Sequence, residues 1–99
     1  MRLLETQAAR ADLDQIFLHG LKTYGEAAAG RYIGQLLDLY ELISGQPEMA
    51  RERIEIVPPV RIHPHGAHLI VYRIGEGVVT IIRVLPSAAD WQNEFMPVD

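Results

Sequence analysis

The chain has 99 residues, 48 % hydrophobic and 22 % charged, with a formal net charge of -4. This length and composition predict one globular domain, residues 1–99, with one modest core. The absence of cysteine excludes disulfides and thiolate metal sites. The acidic balance argues against direct sequence-specific nucleic-acid binding. No apolar run suggests a signal peptide or a membrane span, so we expect a cytoplasmic protein without membrane attachment.

Two helices are predicted in the first half of the chain, after a short strand at Arg2 to Glu5. Thr6 is a typical N-cap residue, and apolar residues recur at helical spacing from there to about Tyr24. Gly25 ends this helix, and a second with a broad apolar stripe is expected from about Glu26 to Ser44. Because the connection is so short, the two helices should form an antiparallel hairpin.

Three strands are predicted in the second half, at Val60 to His65, Ala67 to Ile74 and Val78 to Leu85. The latter two flank the turn Gly75-Glu76-Gly77 and are rich in β-branched residues. Ser87 to Asp90 resembles a capping box that opens a short C-terminal helix. The expected fold class is therefore α+β: an N-terminal strand, a two-helix hairpin, a three-stranded antiparallel sheet and a C-terminal helix.

The register of the hairpin decides which side chains share a face. If Ile74 pairs with Val78, one face carries Leu69, Val71, Arg73, Val79, Ile81, Arg83 and Leu85. The helical hairpin covers one face of the sheet, so a second chain is a natural cover for the other. A shift of one residue would exchange the partners and the faces of one strand.

Cations and aromatic side chains on these apolar strands are the candidate functional residues. Arg83 on a central strand must meet a carboxylate, phosphate or carbonyl, either on a partner or in an internal pair with Asp90 or another acid. Arg61 and Arg73 each have two interpretations: a contact with a partner, or a solvated charge near the end of a strand.

Two further candidates, His68 and Tyr72, could form an acid-base pair or could be a hydrogen-bonded strand histidine and a core tyrosine. His63 and His65 lie close to His68 in the sequence, but an alternating strand does not converge three imidazoles, so no metal and no cofactor is expected.

The order of elements and three segments together resemble the ParE branch of the RelE/ParE toxin superfamily. AARADLDQIF is similar to the family's opening helix, GEAAAGRYIGQLLDLYELI to its second helix, and HLIVYRIGEGVVTIIRVL to its paired strands ending in an arginine. The resemblance covers nearly the whole chain. One departure is Pro86, which stands where many family members have a histidine and cannot replace its proton chemistry.

This resemblance implies the toxin of a type II toxin-antitoxin pair, which binds DNA gyrase without breaking a bond itself. It also implies a hetero-oligomeric complex with a ParD-like antitoxin, whose groove candidates are Leu39, Leu42, Val71 and Ile81. The partner-binding candidates are Arg61, His68, Tyr72, Arg73 and Arg83. An alternative is a RelE-like ribosome-dependent nuclease of messenger RNA using Arg61, Tyr72 and Arg83. Another is a non-toxic member that retains only antitoxin binding.

Overall fold

The computed structural model describes residues 1–88. The elements, in chain order, are β1 (Arg2–Glu5), α1 (Gln7–Tyr24), α2 (Glu26–Gly45), a 3₁₀ turn (Pro47–Met49), β2 (Glu52–Arg53), β3 (Val60–His65), β4 (His68–Gly75) and β5 (Val78–Pro86). The predicted helices and main strands are confirmed to within one residue at each end. Within the described residues, neither helix has the length and apolar character needed to cross a membrane.

The sheet is larger than predicted and mixed rather than antiparallel. It has five strands in the order β1-β5-β4-β3-β2, and β1 pairs with β5 in parallel. The connection between β1 and β5 contains the helical hairpin and the strands β2 to β4, and a parallel pair requires such a long connection. The two-residue β2 extends the opposite edge, paired with the start of β3. The predicted C-terminal helix lies outside the described residues.

The hairpin register differs by one residue from the pairing considered from the sequence. Ile74 pairs with Val79, and Gly75 pairs with Val78. The turn thus has two central residues, Glu76 at φ 54° and Gly77 at φ 77°, as the tight hairpin turns with positive φ at both positions require. The assignment of Val79 to the face of Arg73 was therefore wrong.

Beyond a β-bulge, at the end of the hairpin away from the turn, Arg83 and Leu85 lie on the expected face with Val71 and Leu69. Tyr72 pairs with Ile81 and Val71 with Arg83, so Ile82 is the extra residue. Ile81 therefore lies on the sheet face that packs against the helices, here called the inner face, and its assignment to the face of Arg73 and Arg83 was also wrong. Arg83 follows the bulge and shares the opposite outer face with Val71.

The main core lies between the inner face and the two helices. Its buried members are Ala9, Leu13, Leu36, Tyr40, Ile43, Ile70, Tyr72, Val79, Ile81 and Val84. Thr6 fixes the start of α1 over this core because its hydroxyl accepts from the Ala9 N–H at 3.0 Å and donates to the Ile82 carbonyl at 2.7 Å. The predicted N-cap is thus confirmed, and it also ties α1 to β5.

A second core lies on the outer face, and the chain itself covers it. The segment 54–59 crosses this face with Ile56 fully buried, in a cluster with Val60, Ile62, Val71 and Leu85. The expectation that a second chain is the natural cover of this face is therefore corrected in this half, where the chain's own residues provide the cover. Among residues 1–88, this cluster does not extend over the half nearer β1, whose side chains include Arg2, Leu4, Val78, Thr80 and Arg73.

Candidate functional site

Arg83 makes the internal pair that the sequence allowed, with Asp12 as the acid. Its Nε and Nη2 donate to the two carboxylate oxygens of Asp12 at 2.7 and 2.9 Å. The Val84 N–H donates to the same carboxylate at 2.9 Å. The paired register of β1 ends opposite Ile81, so β5 runs on beyond it, and Asp12 on α1 binds the strand there. The guanidinium is held in place by the fold.

Arg61 and Tyr72 lie opposite each other on β3 and β4 and hold the segment after α2 against the sheet. Arg61 Nη1 donates to the Ala50 carbonyl at 2.6 Å, and the Tyr72 hydroxyl donates to the Pro47 carbonyl at 2.7 Å. Tyr72 is fully buried. Burial raises its pKa, against the lowering effects of a backbone hydrogen bond at Ala50 and the charge of Arg61. Both side chains therefore satisfy partly buried backbone carbonyls.

His68 pairs with Tyr32 of α2, not with Tyr72. His68 Nδ1 lies 2.6 Å from the Tyr32 hydroxyl, which also lies 3.2 Å from the His65 carbonyl oxygen. Burial lowers the pKa of His68, and the positive charges of His19 and His65 lower it further. The acid-base pair considered for His68 and Tyr72 is therefore not formed.

Tyr32 was missed as a site residue because it belongs to the apolar stripe of α2. Its ring packs beside His65 and His68, with ring centroids 5.6 and 5.4 Å away. Burial raises the pKa of Tyr32, and a backbone hydrogen bond from Ala67 partly offsets this. The signal that the sequence contained was the glycine at position 66. In the structure Gly66 has a φ of 54° and lies so close to the Tyr32 hydroxyl that there is no room for a Cβ.

A cleft of about 730 Å³ opens beside this cluster, between α1, α2 and the ends of β4 and β5. Its wall combines apolar Ile16 and Ala29 with Asp12, His19 and the Tyr32–His68 pair. Such a wall can accept apolar side chains of a ligand and form hydrogen bonds with its polar groups. Among residues 1–88, no three histidine or acidic side chains converge as a metal site would require.

The four groove candidates differ in accessibility. Val71 and Ile81 are fully buried, one under the segment 54–59 and the other under the helices, so neither adds surface to a groove. Leu39 is partly buried against the main core. Leu42 is 44 % exposed on α2, where a partner can reach it.

Arg73 is the one strand arginine among the candidates that is exposed. The pairing of β1, β5 and β4 places it on one face with Arg2, Leu4, Val78 and Thr80, and these five residues are named the outer patch. Arg2 and Leu4 were missed because they belong to a strand whose place in the sheet was unknown. Their parallel pairing with Val78 and Thr80 brings the first residues of the chain beside β5.

Comparison with known proteins identifies relatives over nearly the whole chain. Residues 4–91 match the family described as the ParE toxin of the type II toxin-antitoxin system, parDE. Toxin ParE1 of Mycobacterium tuberculosis is 31 % identical over 90 residues, covering 90 % of this chain and 92 % of that protein. Toxin ParE1 of Caulobacter vibrioides is 32 % identical over 80 residues, covering 81 % of this chain and 82 % of that protein.

A solved structure shows the same fold. A chain of the chromosomal ParDE TA system from P. aeruginosa superposes with a TM-score of 0.75 at 23 % identity, covering 87 % of this chain and 95 % of that one. At this identity the match concerns the arrangement of strands and helices.

Proposed function

Because the chain belongs to the ParE toxin family of type II toxin-antitoxin systems, we propose that it inhibits DNA gyrase and is neutralised by a ParD-like antitoxin. It acts as a binding protein: its contacts with the topoisomerase stabilise a state in which cleaved DNA is not resealed. It is expected to work in the cytoplasm, where both partners would meet it.

The observation that carries the binding mechanism is the engagement of Arg61, Tyr72 and Arg83 in the fold. A nuclease needs cations placed around the scissile phosphate and groups free to move protons. Here Arg61 and Tyr72 hold backbone carbonyls of the segment after α2, while Arg83 lies in a carboxylate clamp on α1. The three side chains make structural contacts at two separate places in the fold, which favours inhibition by binding over RNA cleavage.

The antitoxin is proposed to cover apolar surface on the helical side. Leu18, Leu37 and Leu42 are each 39–46 % exposed, and Tyr24 is 73 % exposed at the rim of the cleft. Exposed apolar side chains on neighbouring helices are typical receptors for an amphipathic helix of a partner. Leu42→Glu should weaken co-purification with the antitoxin, whereas Glu41→Gln, a change at the adjacent exposed position, should not.

A supercoiling assay with purified gyrase tests the target. The chain should inhibit supercoiling and accumulate cleaved DNA, and prior addition of the antitoxin should prevent both. Gyrase unaffected by an excess of folded chain would overturn the target assignment. Cleavage of messenger RNA on ribosomes, abolished by Arg83→Ala in a variant shown to be folded, would favour the nuclease instead. Normal growth without the antitoxin, alongside a tight purified complex, would indicate a non-toxic member.

A further inference from the structure

We propose that the outer patch docks on an acidic, partly apolar surface of the target protein, an inference that rests on the proposed gyrase-directed function. Arg2 on β1 and Arg73 on β4 lie on the same face with only β5 between them. Two inter-strand spacings and an offset of two residues along β4 put their backbones roughly 12 Å apart. Val78 and Thr80 lie on the strand between the two arginines, and Leu4 lies beside Thr80 on β1, so that the three supply apolar surface with a hydroxyl.

The two arginines are available to a partner. Among residues 1–88, Arg10, Arg51, Arg61 and Arg83 each have a partner group in the fold. Arg2 and Arg73 are exposed. Neither of them forms a hydrogen bond or an ion pair with the described part of the chain. Leu4 beside them is 43 % exposed. An apolar centre flanked by cations at its edges has the layout of a protein interface.

The positive charge of the outer patch favours an acidic protein surface as its partner. Arginine binds carboxylates through two parallel hydrogen bonds, so an acidic protein surface matches both ends of the patch. A second copy docking face to face would bring the arginines of both copies together, and such like-charge contacts are unfavourable. Nucleic acid fits poorly because the patch has only two cations, Glu76 lies in the adjacent turn, and the whole chain carries -4.

Charge reversal at the patch tests this inference. Arg73→Glu and Arg2→Glu, made separately, should each raise the concentration for half-inhibition of purified gyrase by about tenfold or more, because an attraction becomes a repulsion. Arg31→Glu is the matched control: it is an exposed arginine on α2 with the same change of charge. It should inhibit like the wild type. All three variants should retain antitoxin binding and the wild-type urea midpoint.

The outcomes separate the two levels of the proposal. A wild-type chain that leaves gyrase unaffected overturns the proposed function and this inference together. If the wild-type chain inhibits gyrase and both patch variants inhibit as well as the wild type or Arg31→Glu, only the inference about the patch is overturned. Loss of binding to a DNA duplex without gyrase would assign the patch to nucleic acid. A change of oligomeric state in sedimentation would assign it to a second copy. Either result refutes the proposed occupant.

Discussion

The carboxylate of Asp12 clamps the guanidinium of Arg83 across 71 residues of sequence. The same carboxylate accepts the Val84 N–H, so one side chain on α1 fixes both the backbone and the side chain of β5. Both side chains are mostly buried, at 15 % and 28 % exposure. A loss of toxicity in an Arg83 variant must therefore be compared with its stability before Arg83 is assigned a role in target binding.

Replacing Asp12 should destabilise the fold. Asp12→Ala removes the acceptor of three hydrogen bonds and leaves a partly buried guanidinium and an N–H poorly satisfied, so we expect a loss of about 2 kcal/mol. Asp14→Ala, on the exposed side of the same helix, is the control and should cost less than about 0.5 kcal/mol. Urea denaturation measures both. Equal midpoints for the two variants would show that the clamp contributes little.

Local signals explain why the elements themselves could be predicted. Thr6 as N-cap, Gly25 between the helices and the β-branched residues of the hairpin each act within a few positions. The structure uses Thr6 and Gly25 as expected, with Gly25 at φ 92°. For the same reason the ends of the two helices and of the main strands were accurate.

Long-range relations could not be derived in this way. The hairpin register depended on whether Glu76 adopts a positive φ, and the bulge at Ile82 changed the register a second time. Nothing near Ile56 indicates that it covers the outer face, because a short apolar run between charges and prolines is equally typical of a loop. From the sequence, Asp12 and Tyr32 are indistinguishable from ordinary helix residues. Their partners lie on strands, so the clusters exist only after the sheet is assembled.

Two helical glycines should respond oppositely to alanine. A Cβ at Gly20 would lie 3.1 Å from the Cβ of Ala29, where α1 and α2 touch, whereas one at Gly34 would meet nothing within 4 Å. Overpacking at Gly20→Ala should cost about 1–3 kcal/mol, of which alanine's better helix propensity offsets up to about 1 kcal/mol, so that the variant is destabilised overall. Gly34→Ala should stabilise the chain by up to about 1 kcal/mol, since alanine is the better helix former. Thermal unfolding checks both, and a gain for Gly20→Ala would mean that the helices separate easily.

Tyr72→Phe separates the structural from the catalytic interpretation. Loss of the hydroxyl leaves the Pro47 carbonyl without its donor, so we expect a loss of about 1 kcal/mol. Tyr24→Phe, at a tyrosine 73 % exposed, is the control and should be close to neutral in urea denaturation. Growth inhibition by Tyr72→Phe should persist once expression is matched to the wild type. Complete loss of inhibition at matched levels of folded protein would instead favour proton transfer by Tyr72.

His68 should make the stability of the chain depend on pH. Burial is the first cause of its lowered pKa, so the unfolded state binds a proton at a higher pH than the folded state. The stability that His68 contributes is complete above its unfolded pKa of about 6.5 and is lost as the pH falls through the lower folded value. The free energy of unfolding, measured by urea denaturation from neutral to mildly acidic pH, should decrease over this window.

Two variants test the assignment to His68. His68→Gln removes the titrating ring, so the decrease of the unfolding free energy with falling pH should become smaller. Tyr32→Phe removes the hydroxyl 2.6 Å from Nδ1 but keeps the aromatic ring over the histidine. Because burial rather than this hydrogen bond is the main cause of the shift, Tyr32→Phe should keep most of the pH dependence. A wild-type slope in His68→Gln would place the titrating group elsewhere in the chain.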